Sequence, residues 1–304
     1  MSLDAPLVEA AIESDSIMVS PQTLLLDVIA LMNQRRMNMK SDNRSSCSCA
    51  LIMQGAEILG IFTERDIVKL TAQKIDLEQV KVAQVMAKPV ITLDKSSFND
   101  IFAVLFLFRR YRIRHLPILG DSGKVIGIVS PESIRKVLRP DNFLKMRRVA
   151  DVMRNNIITA ATTASVLEVA QLMAHHGDSC VIITQNREEG QNPVGIITER
   201  DIVQFQALKM NLAEIEAQIV MSEPLFLLSP EDSLWDAHQE MQQRHVRRLV
   251  VSWNWGQGLG IVNLTSLLRI FDPIEMYSVI QTLQQTIEQL EAEKAQLLEQ
   301  LSVI

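Results

Sequence analysis

The sequence predicts an α/β (α+β) fold made of four copies of one small β-α-β-β-α unit. The segment Gly60-Ile61-Phe62-Thr63-Glu64-Arg65-Asp66 recurs almost unchanged as Gly195-Ile196-Ile197-Thr198-Glu199-Arg200-Asp201, and weaker copies begin at Gly127 and Gly260. The four glycines lie 67, 68 and 65 residues apart. A motif that returns at a fixed period indicates internal repeats. Each copy follows an apolar stretch and precedes a helical pattern, which places the motif at a strand-to-helix junction.

The first half of the chain contains repeat 1, about residues 12–73, and repeat 2, about 82–140. Runs of β-branched and aliphatic residues predict its strands, and apolar residues at helical spacing predict its helices. In repeat 1 we predict a strand at 16–19, a helix at 24–32, a long polar loop at 35–48, strands at 50–53 and 58–62, and a helix at 64–71. In repeat 2 we predict a helix at 98–110, strands at 116–119 and 124–129, and a helix at 130–138 that Pro140 ends.

The second half contains repeat 3, about residues 149–208, and repeat 4, about 216–272, and follows the same order. In repeat 3 we predict a helix that includes 166–173, strands at 180–183 and 194–197, and a polar loop at 185–192 between them. In repeat 4 we predict a helix at 234–244 and strands at 249–252 and 259–262. Val85-Met86, Val152-Met153 and Val220-Met221 open repeats 2, 3 and 4 in the same way.

Residues 273–304 differ in character, because their apolar residues recur in alternating steps of four and three. This spacing predicts a heptad seam, with one polar interruption at Lys294. We expect an intermolecular coiled coil and hence a homodimer; an amphipathic helix folded back on the body is the alternative. The seam residues are Met276, Ile280, Leu283, Ile287, Leu290, Lys294, Leu297, Leu301 and Ile304.

Composition limits the classes of function. Of the 304 residues 47% are hydrophobic and 22% are charged, and the net charge is -6, so general nucleic-acid or anionic-membrane binding is not expected. The three cysteines have no metal-binding spacing and favour a reducing, cytoplasmic location. Residues 1–6 carry no signal-peptide pattern, and the apolar run Ile101–Phe108 is too short to cross a bilayer.

The recurrent motif has two chemical interpretations. Thr63 with Asp66, and Thr198 with Asp201, could simply cap the following helix. Alternatively, the helix N-terminus and the hydroxyl could bind a phosphate, and the carboxylate could accept both hydroxyl groups of a ribose. The glycine within each strand indicates close approach of a backbone or a ligand.

Two basic clusters lie at equivalent places before a strand, at 109–115 in repeat 2 and at 244–248 in repeat 4. Cations that offset a helix dipole are one interpretation, and phosphate contacts are the other. We expect phosphate contacts from the residues nearest the strands, which are Arg114, His115, Arg247 and Arg248.

The strand-helix order, the Val-Met openings and the Gly-Ile-x-Thr-x-x-Asp motif resemble CBS domains. The resemblance covers about residues 12–272. It implies that the repeats pair into two Bateman modules, at 1–141 and 142–272, followed by a C-terminal helix at 273–304. It also implies that AMP, ADP or ATP, or S-adenosylmethionine, binds in their clefts. The nucleotide-binding residues that it implies are Gly60, Thr63, Arg65, Asp66, Arg114, His115, Ser130, Ser133, Gly195, Thr198, Arg200, Asp201, Arg247 and Arg248.

The four motifs are not equivalent. Repeats 1 and 3 keep the Thr–Asp pair, whereas repeat 2 has Ser130 with Ser133 and repeat 4 has Asn263 with Ser266. A serine cannot replace a carboxylate that accepts two ribose hydroxyls, and each unpaired buried polar group costs about 1–3 kcal/mol. We therefore expect one competent cleft per module, at repeats 1 and 3.

These patterns favour a regulatory module rather than an enzyme. The sequence shows no nucleophile-base pair, metal cluster or P-loop, so we expect no catalytic residues, metal site or required cofactor. The heptad seam suggests that ligand state passes to a kinase- or cyclase-type output domain or a partner. The alternatives are a ligand-free interaction scaffold, a single-stranded nucleic-acid binder, which 5% aromatic residues disfavour, and, least of all, an enzyme.

Overall fold

The computed structural model describes residues 9–38, 48–98, 101–138, 144–145, 147–187, 190–254 and 258–269. The predicted heptad helix at 273–304 and most of the predicted loop at 35–48 therefore lie outside the described residues.

In the first half of the chain, repeats 1 and 2 have the predicted order of strand, helix, strand, strand and helix. Repeat 1 contains β1 (Ile17–Val19), α1 (Leu25–Asn38), β2 (Cys49–Gln54), β3 (Glu57–Thr63) and α2 (Glu64–Ala72). Repeat 2 follows with α3 (Val82–Val85), β4 (Leu93–Asp94), α4 (Ile101–Tyr111), β5 (Leu116–Leu119), β6 (Val125–Val129) and α5 (Pro131–Leu138).

In the second half, repeats 3 and 4 have the same order, so the predicted fold class is confirmed. Repeat 3 contains β7 (Thr159–Ala161), α6 (Val166–His176), β8 (Cys180–Arg187), β9 (Gly190–Thr198) and α7 (Glu199–Ala207). Repeat 4 contains α8 (Ala217–Val220), β10 (Leu227–Leu228), α9 (Leu234–Gln243), β11 (Arg248–Trp253), β12 (Gly258–Asn263) and α10 (Leu264–Leu268).

Local chemistry explains where the first helix of repeat 3 begins and ends. Ser165 accepts a hydrogen bond from the Glu168 amide at 3.1 Å, and Glu168 in turn accepts from the Ser165 amide at 2.7 Å. This reciprocal capping satisfies two donors that the first turn leaves without partners. Gly177, at φ 67°, ends the helix in the left-handed conformation that glycine tolerates best.

Two boundaries differ from the prediction. Helix α1 continues to Asn38, past the predicted start of a loop at residue 35. The polar segment 185–192 is not simply a loop, because β8 and β9 extend into it with pairs such as Gln185 opposite Asn192. Backbone pairing needs no apolar side chain, so a polar hairpin arm gives no alternating hydrophobic signal.

Each repeat forms a three-stranded mixed sheet, and the segment that precedes the first strand of each repeat crosses to the neighbouring repeat. In repeat 1, β1 pairs with β2 in parallel and β2 pairs with β3 antiparallel. Glu13, before β1, pairs with Ile128 of repeat 2, and Ala87, before β4, pairs with Ile61 of repeat 1. Equivalent bridges join repeats 3 and 4. Repeats 1 and 2 therefore exchange strand segments, as do repeats 3 and 4.

The crossing segments explain the four periodic glycines. A Cβ atom added to Gly127 would lie 2.6 Å from the carbonyl oxygen of Glu13, and one added to Gly60 would collide with Met86. Gly195 lies in the same way against Met221. Of the two causes that the sequence left open, a neighbouring chain segment therefore accounts for these glycines. A ligand contact by Gly60 or Gly195 stays a prediction.

The hydrophobic core also connects the two halves of the chain. Val203 of repeat 3 packs in the core of repeat 1, and Val68 of repeat 1 packs in the core of repeat 3. A third core combines residues of repeats 2 and 4, such as Leu116 and Leu249. The sheets of repeats 1 and 2 meet around Leu51 and Ile128. The strand-to-helix junctions of all four repeats are thereby brought towards one another.

Candidate functional site

The Thr–Asp pairs of repeats 1 and 3 have the same geometry. In repeat 1, Asp66 Oδ2 accepts hydrogen bonds from the Thr63 amide at 3.0 Å and from the Thr63 hydroxyl at 2.8 Å. In repeat 3, Asp201 Oδ2 accepts from the Thr198 amide at 2.8 Å and from its hydroxyl at 2.7 Å. One carboxylate oxygen of each aspartate thus caps the helix, which leaves the other, Oδ1, to accept hydrogen bonds from a ligand.

In repeats 2 and 4 the two residues at the corresponding positions hydrogen-bond to each other. The Ser130 amide donates to Ser133 Oγ at 2.9 Å, while the Ser133 amide donates to Ser130 Oγ at 3.1 Å. In repeat 4, Asn263 Oδ1 accepts from the Ser266 amide at 2.8 Å. Ser133 and Ser266 are buried and provide no carboxylate. The difference in chemistry that the sequence predicts is therefore present in the local geometry.

The predicted basic residues form two consecutive pairs, Arg114 with His115 and Arg247 with Arg248. The second residue of each pair contacts a residue in its own half of the chain. His115 Nε2 of repeat 2 is hydrogen-bonded to Ser48 Oγ of repeat 1 at 2.9 Å. In the same way Arg248 of repeat 4 donates to the carbonyl oxygen of Ser179 in repeat 3 at 3.0 Å. Ser48 and Ser179 each directly precede the central strand of their sheet, so the two contacts are equivalent.

The first basic residue of each pair instead reaches the other half of the chain. Arg114 Nη2 of repeat 2 donates to Glu199 Oε2 of repeat 3 at 2.7 Å. Arg247 of repeat 4 pairs with Glu132 of repeat 2, with 2.5 Å between the charged atoms. These contacts connect the two halves at the positions where the sequence predicts phosphate contacts.

Repeats 1 and 3 also exchange ion pairs through their matching motifs. Arg65 Nε lies 3.6 Å from Glu199 Oε1, and Arg200 Nε lies 3.5 Å from Glu64 Oε1. The Glu199 side chain is only 2% exposed, so its charge depends on Arg114 and Arg65. We call this set the arginine–glutamate cluster: Glu64, Arg65, Arg114, Glu132, Glu199, Arg200 and Arg247.

Electrostatics within and around the cluster depend on burial and on the density of cations. Burial, reinforced by the positive charges of Arg114, Arg247 and Arg65, lowers the pKa of His115 to about 3, so this side chain is neutral at pH 7. Burial and the neighbouring Arg247 lower the pKa of Arg200 to about 10. Crowded cations of this kind favour an anion, because an added negative charge relieves their mutual repulsion.

Sequence reasoning identified the arginines and the Thr–Asp pairs but missed their partners. The sequence analysis assigned no role to Glu64, Glu132 or Glu199. The one available signal was that Glu-Arg stands between Thr and Asp in both complete motifs. Arg109 and Arg110, to which the sequence assigned less weight, are exposed at the end of α4.

The described part of the chain has neither a membrane-spanning helix nor a metal-binding group of side chains. None of its helices has both the length and the apolar character needed to cross a membrane. Among the same residues, no group of three or more His, Cys, Asp or Glu side chains is arranged to hold a metal ion.

Comparison with known proteins gives relatives for parts of the chain. The uncharacterized protein MK0525 of Methanopyrus kandleri is 32% identical over 123 residues, which are 40% of this chain and 61% of that protein. L-aspartate semialdehyde sulfurtransferase of Methanocaldococcus jannaschii is 31% identical over 121 residues, which are 40% of this chain and 22% of that enzyme. The chain therefore spans less than two thirds of the length of either relative.

A solved structure matches most of the chain. Protein MJ1225 of Methanocaldococcus jannaschii, a proposed archaeal homologue of g-AMPK, superposes with a TM-score of 0.70 at 17% identity, covering 87% of this chain and 99% of that one. This likeness shows a shared fold. The family model described as CBS domain matches residues 8–72, 82–140, 149–208 and 214–272. Because these matches include all four repeats, the chain belongs to the CBS-domain family and carries four CBS domains in tandem.

Proposed function

We propose that this chain is a regulatory module that binds an adenine nucleotide (AMP, ADP or ATP) in two clefts, at the Thr–Asp motifs of repeats 1 and 3. Pairs of CBS domains are regulatory modules, and here they are the architecture of residues 8–272. The identity of the ligand and the two clefts that bind it are the parts that we propose.

One observation carries the proposal: the asymmetry between complete and incomplete motifs. In repeats 1 and 3 a single aspartate oxygen caps the helix, so Oδ1 remains to accept hydrogen bonds from ribose hydroxyls. The helix N-terminus beside it, at Thr63 or Thr198, attracts a phosphate. In repeats 2 and 4 the corresponding groups bond to each other, so these clefts are expected to bind weakly or not at all.

The basic side chains support a phosphate-bearing ligand rather than an uncharged one. Arg65 and Arg200 directly follow the first helical residue of the two complete motifs, and Arg114 and Arg247 reach the same central cluster. A chain with a net charge of -6 that concentrates arginines in this way provides a local attraction for anions.

A ligand-free scaffold is the second candidate, and the capping geometry favours it. The bonds from Thr63 to Asp66 stabilise a helix start whether or not a ligand binds. In this case the repeats would serve only as a rigid scaffold to which a partner binds.

Thermal melts of the chain with AMP, ADP, ATP and S-adenosylmethionine separate these candidates. A ligand at about 100 times its dissociation constant stabilises each occupied cleft by roughly 2.7 kcal/mol. We expect a clear rise in melting temperature with at least one of the three nucleotides. A response to S-adenosylmethionine alone would make the module a sensor of that compound, and no response to any of the four would support the scaffold.

We further propose that residues 273–304 form the dimeric coiled coil through which ligand state reaches an output domain or partner. Ligand can transmit a signal only through different affinities for two arrangements of the modules. Light scattering of the full chain and of a chain ending at residue 272 tests the dimer. We expect a dimer for the full chain and a monomer for the shorter one; a shorter chain that is still a dimer, or a full chain that is a monomer, would contradict the proposal.

A further inference from the structure

The complete motifs share a feature that their proposed role in nucleotide binding does not require. Between threonine and aspartate, both carry Glu-Arg at the first two positions of the helix, as Glu64-Arg65 and Glu199-Arg200. Repeat 2 has Pro131-Glu132 at these positions and repeat 4 has Leu264-Thr265. The Glu-Arg pair therefore occurs only where we propose that a ligand binds.

These Glu-Arg pairs contact each other across the two halves of the chain. Arg65 reaches Glu199 at 3.6 Å, while Arg200 reaches Glu64 at 3.5 Å. The Arg65 side chain is 37% exposed, and among the described residues its Nε makes no hydrogen bond. Nε of Arg65 is therefore held to Glu199 by charge rather than by a hydrogen bond, a contact for which a stronger anion would compete.

Glu199 is the opposite case. Its side chain is 2% exposed and it accepts a 2.7 Å hydrogen bond from Arg114. A buried carboxylate needs cationic partners, because an uncompensated charge is costly away from water. Glu199 therefore attracts Arg65. In repeat 1, Arg65 lies only two residues after Thr63, whose hydroxyl is part of the proposed phosphate site. A phosphate at Thr63 and the carboxylate of Glu199 would compete for the same guanidinium group.

We propose that Glu199 is a specificity-determining residue for the cleft of repeat 1, although it belongs to repeat 3. Its carboxylate competes with the ligand for Arg65, which reduces the difference in binding affinity between an anionic ligand and a neutral one. By the same geometry Glu64 of repeat 1 acts through Arg200 on the cleft of repeat 3. This inference rests on the proposed nucleotide-binding function. It proposes that the arginine–glutamate cluster determines how strongly the charge of a ligand affects its affinity.

The test isolates one cleft and then changes the distant glutamate. In an Asp201→Asn chain, only the cleft of repeat 1 keeps its carboxylate, so calorimetric titration with AMP and with adenosine reports on that cleft. Adding Glu199→Gln removes the competing charge but keeps an oxygen that can accept from Arg114. The AMP dissociation constant is expected to fall by roughly threefold to fivefold, the equivalent of a partly exposed ion pair, while adenosine binding stays the same.

The matched control is Glu231→Gln in the same background. Glu231 also pairs with an arginine, Arg148, but both side chains are 68% exposed and the pair lies outside the arginine–glutamate cluster. This substitution is expected to leave both dissociation constants unchanged. An unchanged AMP constant in the Glu199→Gln chain, or an equal gain for adenosine, would overturn the inference while leaving nucleotide binding intact.

Failure of the proposed function itself gives a different result, because neither the natural chain nor any variant would then bind AMP, ADP or ATP, and both proposals would fall. If the natural chain binds ADP or ATP but not AMP, that nucleotide takes the place of AMP in the titrations. If Glu199→Gln does not melt cooperatively, the mirror experiment replaces it. In an Asp66→Asn background, Glu64→Gln is expected to tighten AMP binding at the cleft of repeat 3 through release of Arg200. An unchanged constant there would equally overturn the inference.

Discussion

Replacing Asp201 by asparagine separates the capping role of this residue from its proposed role in binding. In the structure one oxygen, Oδ2, accepts from the amide of Thr198 at 2.8 Å and from its hydroxyl at 2.7 Å. Asparagine keeps one oxygen for these two bonds but turns the other acceptor into a donor. Without ligand, only the negative charge at the helix N-terminus is lost, so the free energy of unfolding should fall by about 0.3–1 kcal/mol.

The effect on ligand binding should be larger. If the lost acceptor leaves a ribose hydroxyl unpaired, a cost of about 2 kcal/mol corresponds to roughly a 30-fold loss of affinity. At a ligand concentration of about 100 times the original dissociation constant, stabilisation by that cleft would drop from about 2.7 to about 0.9 kcal/mol. At about 2–4 °C per kcal/mol, most of the ligand-induced rise in melting temperature from this cleft would disappear.

The assay is a pair of melting curves, with and without AMP, for the natural chain, the Asp201→Asn chain and a control. Asp236→Asn is a matched control, because Asp236 Oδ2 accepts from the Ser233 hydroxyl at 2.7 Å at the start of α9, outside the proposed clefts. The control should keep the full AMP response. An Asp201→Asn chain that also keeps it would refute the assignment of this carboxylate to the ligand.

Two further predictions concern the fold and its dependence on pH. Gly127→Ala should destabilise the protein more than Gly60→Ala. The new methyl group meets the backbone carbonyl of Glu13 in the first case and the movable side chain of Met86 in the second. The expected loss in the free energy of unfolding from overpacking is about 1–3 kcal/mol, measured by chemical denaturation. The folded-state pKa of His115, about 3, lies below its unfolded value of about 6.5, so stability is fully present above pH 6.5 and is lost as pH falls towards 3. Between pH 6.5 and 5 we expect a loss of up to about 1.4 kcal/mol per pH unit, and a His115→Gln chain that keeps the same slope would contradict this assignment.

Much of the fold could be predicted because its signals are local. The order of elements in each repeat follows from apolar periodicity, and the Thr–Asp geometry involves residues only three positions apart. The polar arms of the β8–β9 hairpin escaped prediction, since backbone pairing there is independent of side-chain hydrophobicity. The continuation of α1 to Asn38 was missed for a similar reason, because polar residues leave no apolar stripe.

The contacts that assemble the candidate site could not be predicted, because they join residues far apart in sequence. Glu13 pairs with Ile128, and Arg114 bonds to Glu199, across separations that no periodicity encodes. The glycine within each strand was recognised as a place of close approach, but the sequence could not say that Met86 would fill the space at Gly60. Local patterns thus predict the units of this protein, and the exchange of segments between repeats decides how their motifs meet.

The most direct test of the central claim is a calorimetric titration of the full chain with AMP, ADP and ATP at pH 7. The geometry of the two complete motifs predicts saturable binding of at least one nucleotide, with two sites per chain and none at the closed motifs of repeats 2 and 4. Four equal sites would contradict the asymmetry, and the absence of heat with every nucleotide would contradict nucleotide binding altogether.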